Sequence, residues 1–144
     1  MSNGDIILYR GESPGAMGMD VHGGYGQTWT TNPEHAAEYA QSQGSYIRQA
    51  ILPSTSKRLV LMFKDEHGVS TINWNAVNTL QQITGDPYLR RTIELMPMYE
   101  VWCDEWTIKL INAGYDSIAT EGFEGIEEYV INKTILTTNK RISF

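Results

Sequence analysis

Hydrophobic and polar positions alternate between two periods along the chain. Asp5 to Tyr9 is a short apolar run that predicts a buried strand, with Arg10 directly after it. Gln27 to Thr31 regains strand character through its β-branched and aromatic residues. Asn32-Pro33-Glu34 then supplies a cap, a proline at the first helical position and an acidic first turn. The helix so started should carry Ala36, Ala37, Tyr39 and Ala40 and stop near Gly44. Ser45 to Leu52 and Arg58 to Phe63 read as strands separated by Pro53 and a Ser/Thr loop. Trp74, Val77, Leu80 and Ile83 recur every three residues and predict a helix from about Asn73 to Thr84, broken by Gly85-Asp86-Pro87.

A second helical segment is expected from Tyr88 to Leu95, and a third from Tyr99 to Asn112. In the third, Trp102, Trp106 and Leu110 share a face and Gly114 stands as the residue past its end. Strands are expected over Tyr115 to Thr120, Glu127 to Ile131 and Ile135 to Phe144. Strands first, helices in the middle and strands at the end indicate an α+β domain, not repeated βαβ units. No repeat or low-complexity tract interrupts the 144 residues, which are expected to form a single domain, 1–144.

Composition narrows the possible chemistry. The net charge is −6 and the hydrophobic content 41%, the balance of a globular domain. No apolar run is long enough for a transmembrane helix, no secretory signal opens the chain, and Cys103 is the single cysteine. These features lead to the expectation of a soluble, cytoplasmic protein with no membrane association. Between Glu100 and Glu128 eight acidic residues face one lysine, Lys109. The closest approaches to a basic patch are the pairs Lys57-Arg58, Arg90-Arg91 and Lys140-Arg141, read as ordinary solvated faces. Stable nucleic-acid binding is therefore not expected.

Metal chemistry is not expected, because His22, His35 and His67 are scattered and lack ligand spacing. Cys103 lies beside Asp104 and Glu105, which would raise its thiol pKa and make it a poor nucleophile. The six glycines between Gly11 and Gly26 lack the Lys-Ser or Lys-Thr of a phosphate loop. What remains is an arginine after the first strand, a threonine-rich strand end and a Glu-Glu pair at the head of a late strand. Arginine suits a phosphate through its planar fork. Threonine hydroxyls suit a ribose, an aromatic ring stacks on a planar base, and a carboxylate favours an oxocarbenium-like transition state. In that order these groups suit cleavage of a nucleotide's N-glycosidic bond.

Four segments carry a family resemblance: Leu8-Tyr9-Arg10-Gly11-Glu12-Ser13; Trp29-Thr30-Thr31-Asn32-Pro33-Glu34-His35-Ala36 with Tyr39-Ala40; Ala113-Gly114-Tyr115-Asp116-Ser117-Ile118; and Glu127-Glu128-Tyr129-Val130-Ile131. Together they resemble the small ADP-ribosyltransferase domains of bacteria and phages. The resemblance runs from residue 6 to about 132 and is thinnest over 57–98. It implies a split β-sheet core with flanking helices and NAD as substrate. It implies transfer of ADP-ribose to a macromolecular acceptor, a host or rival protein, by a bacterial or phage effector. Arg10 would bind the phosphate and ribose region of NAD, with Gly11 beside it. Thr30 and Thr31 would shape the nicotinamide-ribose pocket, with Thr28 included if the register allows. Glu128 would be the catalytic glutamate, with Glu127 second. Trp29 or Tyr39 would face the nicotinamide, core packing being the alternative role of each.

Arginine-directed members carry Gln or Glu two residues before the catalytic glutamate, where this chain has Ile126, or Gly125 if Glu127 is catalytic. The resemblance therefore points to an acceptor other than arginine. Glu121 and Glu124, in a loop expected over 121–126, stand as acceptor-side candidates or as solvated loop residues. The glycine-rich stretch 11–26 would lie near NAD as a cover that orders on binding. Two alternatives stand beside the transferase: an NAD glycohydrolase, in which water attacks, and an inactive interaction module that binds through the acidic 100–128 surface.

Overall fold

A computed structural model describes residues 4–12, 27–41, 43–86, 104–122 and 125–142. The strands are β1 (Ile6–Glu12), β2 (Gln27–Thr30), β3 (Tyr46–Leu52), β4 (Arg58–Lys64), β5 (Ser70–Ile72), β6 (Ser117–Gly122), β7 (Gly125–Val130) and β8 (Thr137–Ile142). The helices are α1 (Pro33–Ala37), α2 (Trp74–Thr84) and α3 (Asp104–Asn112), with a 3-10 turn at Lys133–Ile135. All eight strands join in one sheet of order β5-β4-β6-β7-β2-β1-β3-β8. Among the described strands β4 and β6 alone run parallel, and α2 and α3 lie in the crossover between them. The α+β class holds. The strands form one continuous hydrogen-bonded sheet, and among the described residues a single registered pair, Tyr9 with Thr30, joins β1 to β2.

Strand alternation gives the sheet two apolar faces, each with its own core. Leu59, Leu61, Ile118 and Tyr129 pack under Ala76, Val77 and Leu80 of α2 and Leu110 of α3. On the opposite face Leu8, Trp29, Ala50, Leu52 and Val130 form a second cluster, closed by Ile6, Ile135 and Leu136. At up to about 3 kcal/mol for each large side chain removed from water, these two clusters are the main source of stability.

Local chemistry explains the element ends. Asn32 caps α1 by accepting from the backbone N–H groups of Glu34 and His35. The helix stops after Ala37, well short of Gly44. Ala36 is its one buried residue, whereas Glu38 and Tyr39 are exposed, so continuation would bury no further apolar face. Its closeness to β1 explains Gly11, since a Cβ there would stand 2.0 Å from the Ala36 carbonyl oxygen. Asn73 caps α2, and Gly85 ends it in the left-handed region at φ 71°.

Strand β5 was not foreseen. It pairs with β4 through a turn in which Asp65 Oδ1 accepts from the N–H groups of His67 and Val69. The loop expected over 121–126 is instead largely strand, with β6 and β7 paired out to Gly122 and Gly125. The helix expected over 88–95, the start of the one expected from Tyr99, the cover at 13–26, and Cys103 and Glu124 lie outside the described residues.

Candidate functional site

Three of the expected site residues share one face. Tyr9 opposes Thr30, so strand alternation puts Arg10 and Trp29 together on the other face of β1 and β2, and Trp29 in turn opposes Glu128. The row Arg10, Trp29, Glu128 therefore lies on one face of the adjacent strands β1, β2 and β7. The Arg10 Nη1–H donates to the Thr28 carbonyl at 2.9 Å, and its Nε lies 3.4 Å from Glu12 Oε1. Trp29 belongs to the core, 1% exposed, and its indole N–H is buried with no hydrogen-bond partner among the described residues.

Glu128 is wholly buried. Arg58 Nε donates to its two oxygens at 3.2 and 3.1 Å, and Arg58 Nη2 donates to Oε1 at 2.6 Å. The Ser117 hydroxyl donates to Oε2 at 2.6 Å. Each partner comes from a strand start, Arg58 from β4 and Ser117 from β6, and those two residues oppose each other. Two carboxylate oxygens taken out of water thus receive charge-assisted hydrogen bonds from both partners. Arg58 and Ser117 were not among the expected site residues. Lys57-Arg58 was read as a solvated pair, but strand alternation with buried Leu59 and Leu61 turns Arg58 to the Glu128 face. The parallel pairing of β4 with β6 is what brings it there, and no local pattern announces that pairing.

Gly11, Thr30, Tyr39 and the second-choice Glu127 occupy the other face. Thr30 opposes Glu127, is buried, and accepts at Oγ1 from the Asn32 N–H at 3.1 Å. Thr31 follows β2 and joins it to β7: its Oγ1 accepts from the Ile126 N–H, and its own N–H donates to the Ile126 carbonyl. Both threonine hydroxyls thus accept from backbone N–H groups. Glu127, 44% exposed, lies 3.5 Å from His35 Nε2, and the other imidazole nitrogen lies 3.3 Å from Glu38. Tyr39, 62% exposed, meets the His35 ring edge-on at 5.7 Å. The expected set is therefore divided between the two faces.

The acidic stretch is largely engaged where its side chains are described. Asp116 accepts from the Lys57 N–H and the Asn132 side-chain amide, and Glu121 accepts from the Lys64 N–H. With Glu127 beside His35 and Glu128 under Arg58, these four carboxylates act inside the fold as connectors. Among the described residues no three His, Cys, Asp or Glu are grouped to hold a metal, and no helix is long and apolar enough to cross a membrane. A surface depression of about 480 Å³ at the C-terminal end of α2 is lined by Asn78, Gln81, Gln82, Gly85 and Asp86. Helix α2 covers the face opposite Glu128, so this depression is separate from the Arg10–Glu128 row.

No protein-family model matches the chain, and the searches of curated proteins and of solved structures return no match.

Proposed function

We propose that the chain is a mono-ADP-ribosyltransferase that cleaves NAD and transfers ADP-ribose to a macromolecular acceptor other than arginine. The observation that carries this reading is the row Arg10, Trp29, Glu128: a fixed cation, an indole and a carboxylate on one face of adjacent strands. In the reaction the bond between the ribose C1′ and the nicotinamide nitrogen breaks, and its electron pair leaves with nicotinamide. The carboxylate favours the positive charge that develops at C1′. A lone pair of the acceptor then forms the new bond at C1′, and the acceptor's proton passes to water or a base. Arg10 serves the diphosphate of NAD. With water as acceptor the same chemistry is NAD glycohydrolysis.

One requirement follows from the burial of Glu128. Its carboxylate meets a ribose only after the Arg58 and Ser117 contacts rearrange, a step that would accompany NAD binding. The same closed contact favours a second reading, a module that does not turn over NAD and in which Glu128 is a structural anchor.

Nicotinamide release from NAD, measured with purified protein alone and with a cell lysate, tests these readings. The transferase predicts lysate-dependent release, ADP-ribose fixed to a protein band, and loss of both in Glu128→Gln and Arg10→Ala. Glu127→Gln should retain activity, and loss there with retention in Glu128→Gln would transfer the role to Glu127. Release without fixed label identifies a glycohydrolase. Absence of release in both conditions, from a protein that is folded, overturns the enzymatic reading.

A further inference from the structure

Beyond Glu12 and Arg10, the same face of the sheet carries a concentration of positive charge that the proposed chemistry at Glu128 does not use. Arg10 opposes Arg48, and Arg48 opposes Arg141, so three guanidinium-bearing residues stand abreast on β1, β3 and β8. Like charges directly opposite one another on a sheet are destabilising. The chain has only 11 Lys and Arg against 17 Asp and Glu, so three arginines in one row are not a by-product of a basic composition.

The surrounding groups offset this charge in part. Glu12, 8% exposed, lies 3.4 Å from Arg10 Nε and 3.6 Å from Arg48 Nε and accepts from the Tyr46 hydroxyl. Arg48 Nη1 donates to Asn139 Oδ1 at 2.9 Å. Among the described residues Glu12 is the carboxylate paired with Arg48, and Arg141 has no ion pair. The Tyr46 ring holds the outer two, with the Arg141 guanidinium carbon 4.0 Å and that of Arg48 5.7 Å from its centroid. A guanidinium stacked on a ring can still present N–H groups in its own plane to an anion, the geometry in which arginine grips phosphate bidentately. Among the described residues the exposed Arg141 side chain makes no hydrogen bond, which leaves its guanidinium donors available to a ligand.

We infer that Arg48 and Arg141, mounted on Tyr46, form a binding site for a diphosphate group, with Glu12 setting the orientation of the inner guanidinium. A diphosphate has two adjacent anionic centres, which match the two neighbouring guanidiniums of Arg48 and Arg141. The site lies on β3 and β8, on the far side of Arg10 from Glu128, and its occupation does not require that NAD be cleaved.

The test is calorimetric titration of the full-length protein with inorganic pyrophosphate, then with ADP. Binding should weaken by about tenfold or more in Arg141→Gln and in Arg48→Gln, the usual effect of losing a charge-assisted contact. Arg141→Gln alters an exposed side chain that, among the described residues, makes no ion pair, so the fold is expected to be unchanged, as circular dichroism would verify. Lys140→Gln is the control, because it removes the same charge from the next residue, whose side chain alternates to the other face. Tighter binding of ADP than of pyrophosphate supports the site and identifies a nucleotide as its source, whereas equal binding supports recognition of the diphosphate alone. Equal weakening in Lys140→Gln and Arg141→Gln would show general charge attraction and overturn the site. Absence of pyrophosphate and ADP binding overturns it as well, even if nicotinamide release is observed. Conversely, arginine-dependent pyrophosphate binding without nicotinamide release would keep the site and remove the transferase.

Discussion

The Arg58 guanidinium closes on the Glu128 carboxylate through contacts of 2.6, 3.1 and 3.2 Å, and the carboxylate is wholly inaccessible to solvent. Such a pair costs desolvation to assemble and is costly to break from one side only. Arg58→Ala, which leaves the carboxylate buried with Ser117 as its remaining partner, should lower stability by about 3 kcal/mol, the low end for a buried pair because Arg58 is 23% exposed. The double replacement Arg58→Met with Glu128→Leu should recover most of that loss. Urea denaturation of the three proteins checks the order. If Arg58→Ala is as stable as the starting protein, the ion pair is not closed in solution.

Gly11 and Ala36 set a second expectation. The Ala36 carbonyl oxygen stands 2.0 Å from where a Gly11 Cβ would be, and a backbone atom cannot swing aside as a side chain can. Gly11→Ala should therefore push α1 away from β1 and cost about 1–3 kcal/mol, the usual range for overpacking. A denaturation midpoint unchanged from that of the starting protein would contradict the close contact.

Asp116 ties three strands at one end of the sheet. Its carboxylate accepts from the Lys57 N–H just before β4 and from the Asn132 amide after β7, while its own chain leads directly into β6. Asp116→Ala removes two charge-assisted hydrogen bonds at a partly solvated position and should cost about 1–2 kcal/mol in the same assay. Glu66→Ala is the comparison, a residue 86% exposed whose loss should fall within about 0.5 kcal/mol of neutral.

The cap of α1 gives a smaller effect. Asn32 Oδ1 receives two N–H groups in a helix of five residues, so Asn32→Ala should cost about 1 kcal/mol. Asn32→Ser, which retains a capping oxygen, should restore most of it. Thermal melts of the two variants separate these outcomes.

Features decided within a few residues were the ones most legible in the sequence. The Asn32-Pro33 start of α1, the Asn73 cap and Gly85 terminus of α2, and the hydrophobic alternation of β3 and β4 all appear as local chemistry predicts. The short strand β5 was missed because its three residues, Ser70 to Ile72, acquire strand geometry from pairing with Met62 to Lys64. The end of α1 depended on what its face would bury. For the candidate site, the order Arg10, Trp29, Glu128 was legible but the partition across the sheet was not. Whether Thr30 shares a face with Glu127 or with Glu128 depends on the register of β2 against β7, strands about a hundred residues apart. Arg58 escaped notice for the same reason, since its partner lies 70 residues away.

The junction of β1 with β2 has a further consequence for how the domain responds to its surroundings. Among the described residues Tyr9 and Thr30 are the one registered pair there, so little backbone bonding between described residues holds the β1-β3-β8 ladder to the other five strands. The contact of Leu8, Ala50 and Leu52 with Trp29 and Val130 bridges the two parts. Apolar contact of this kind weakens on cooling, whereas backbone ladders such as β1-β3 and β6-β7 depend on it less. The domain is thus jointed along one line, and chilling is the condition that loosens that joint first.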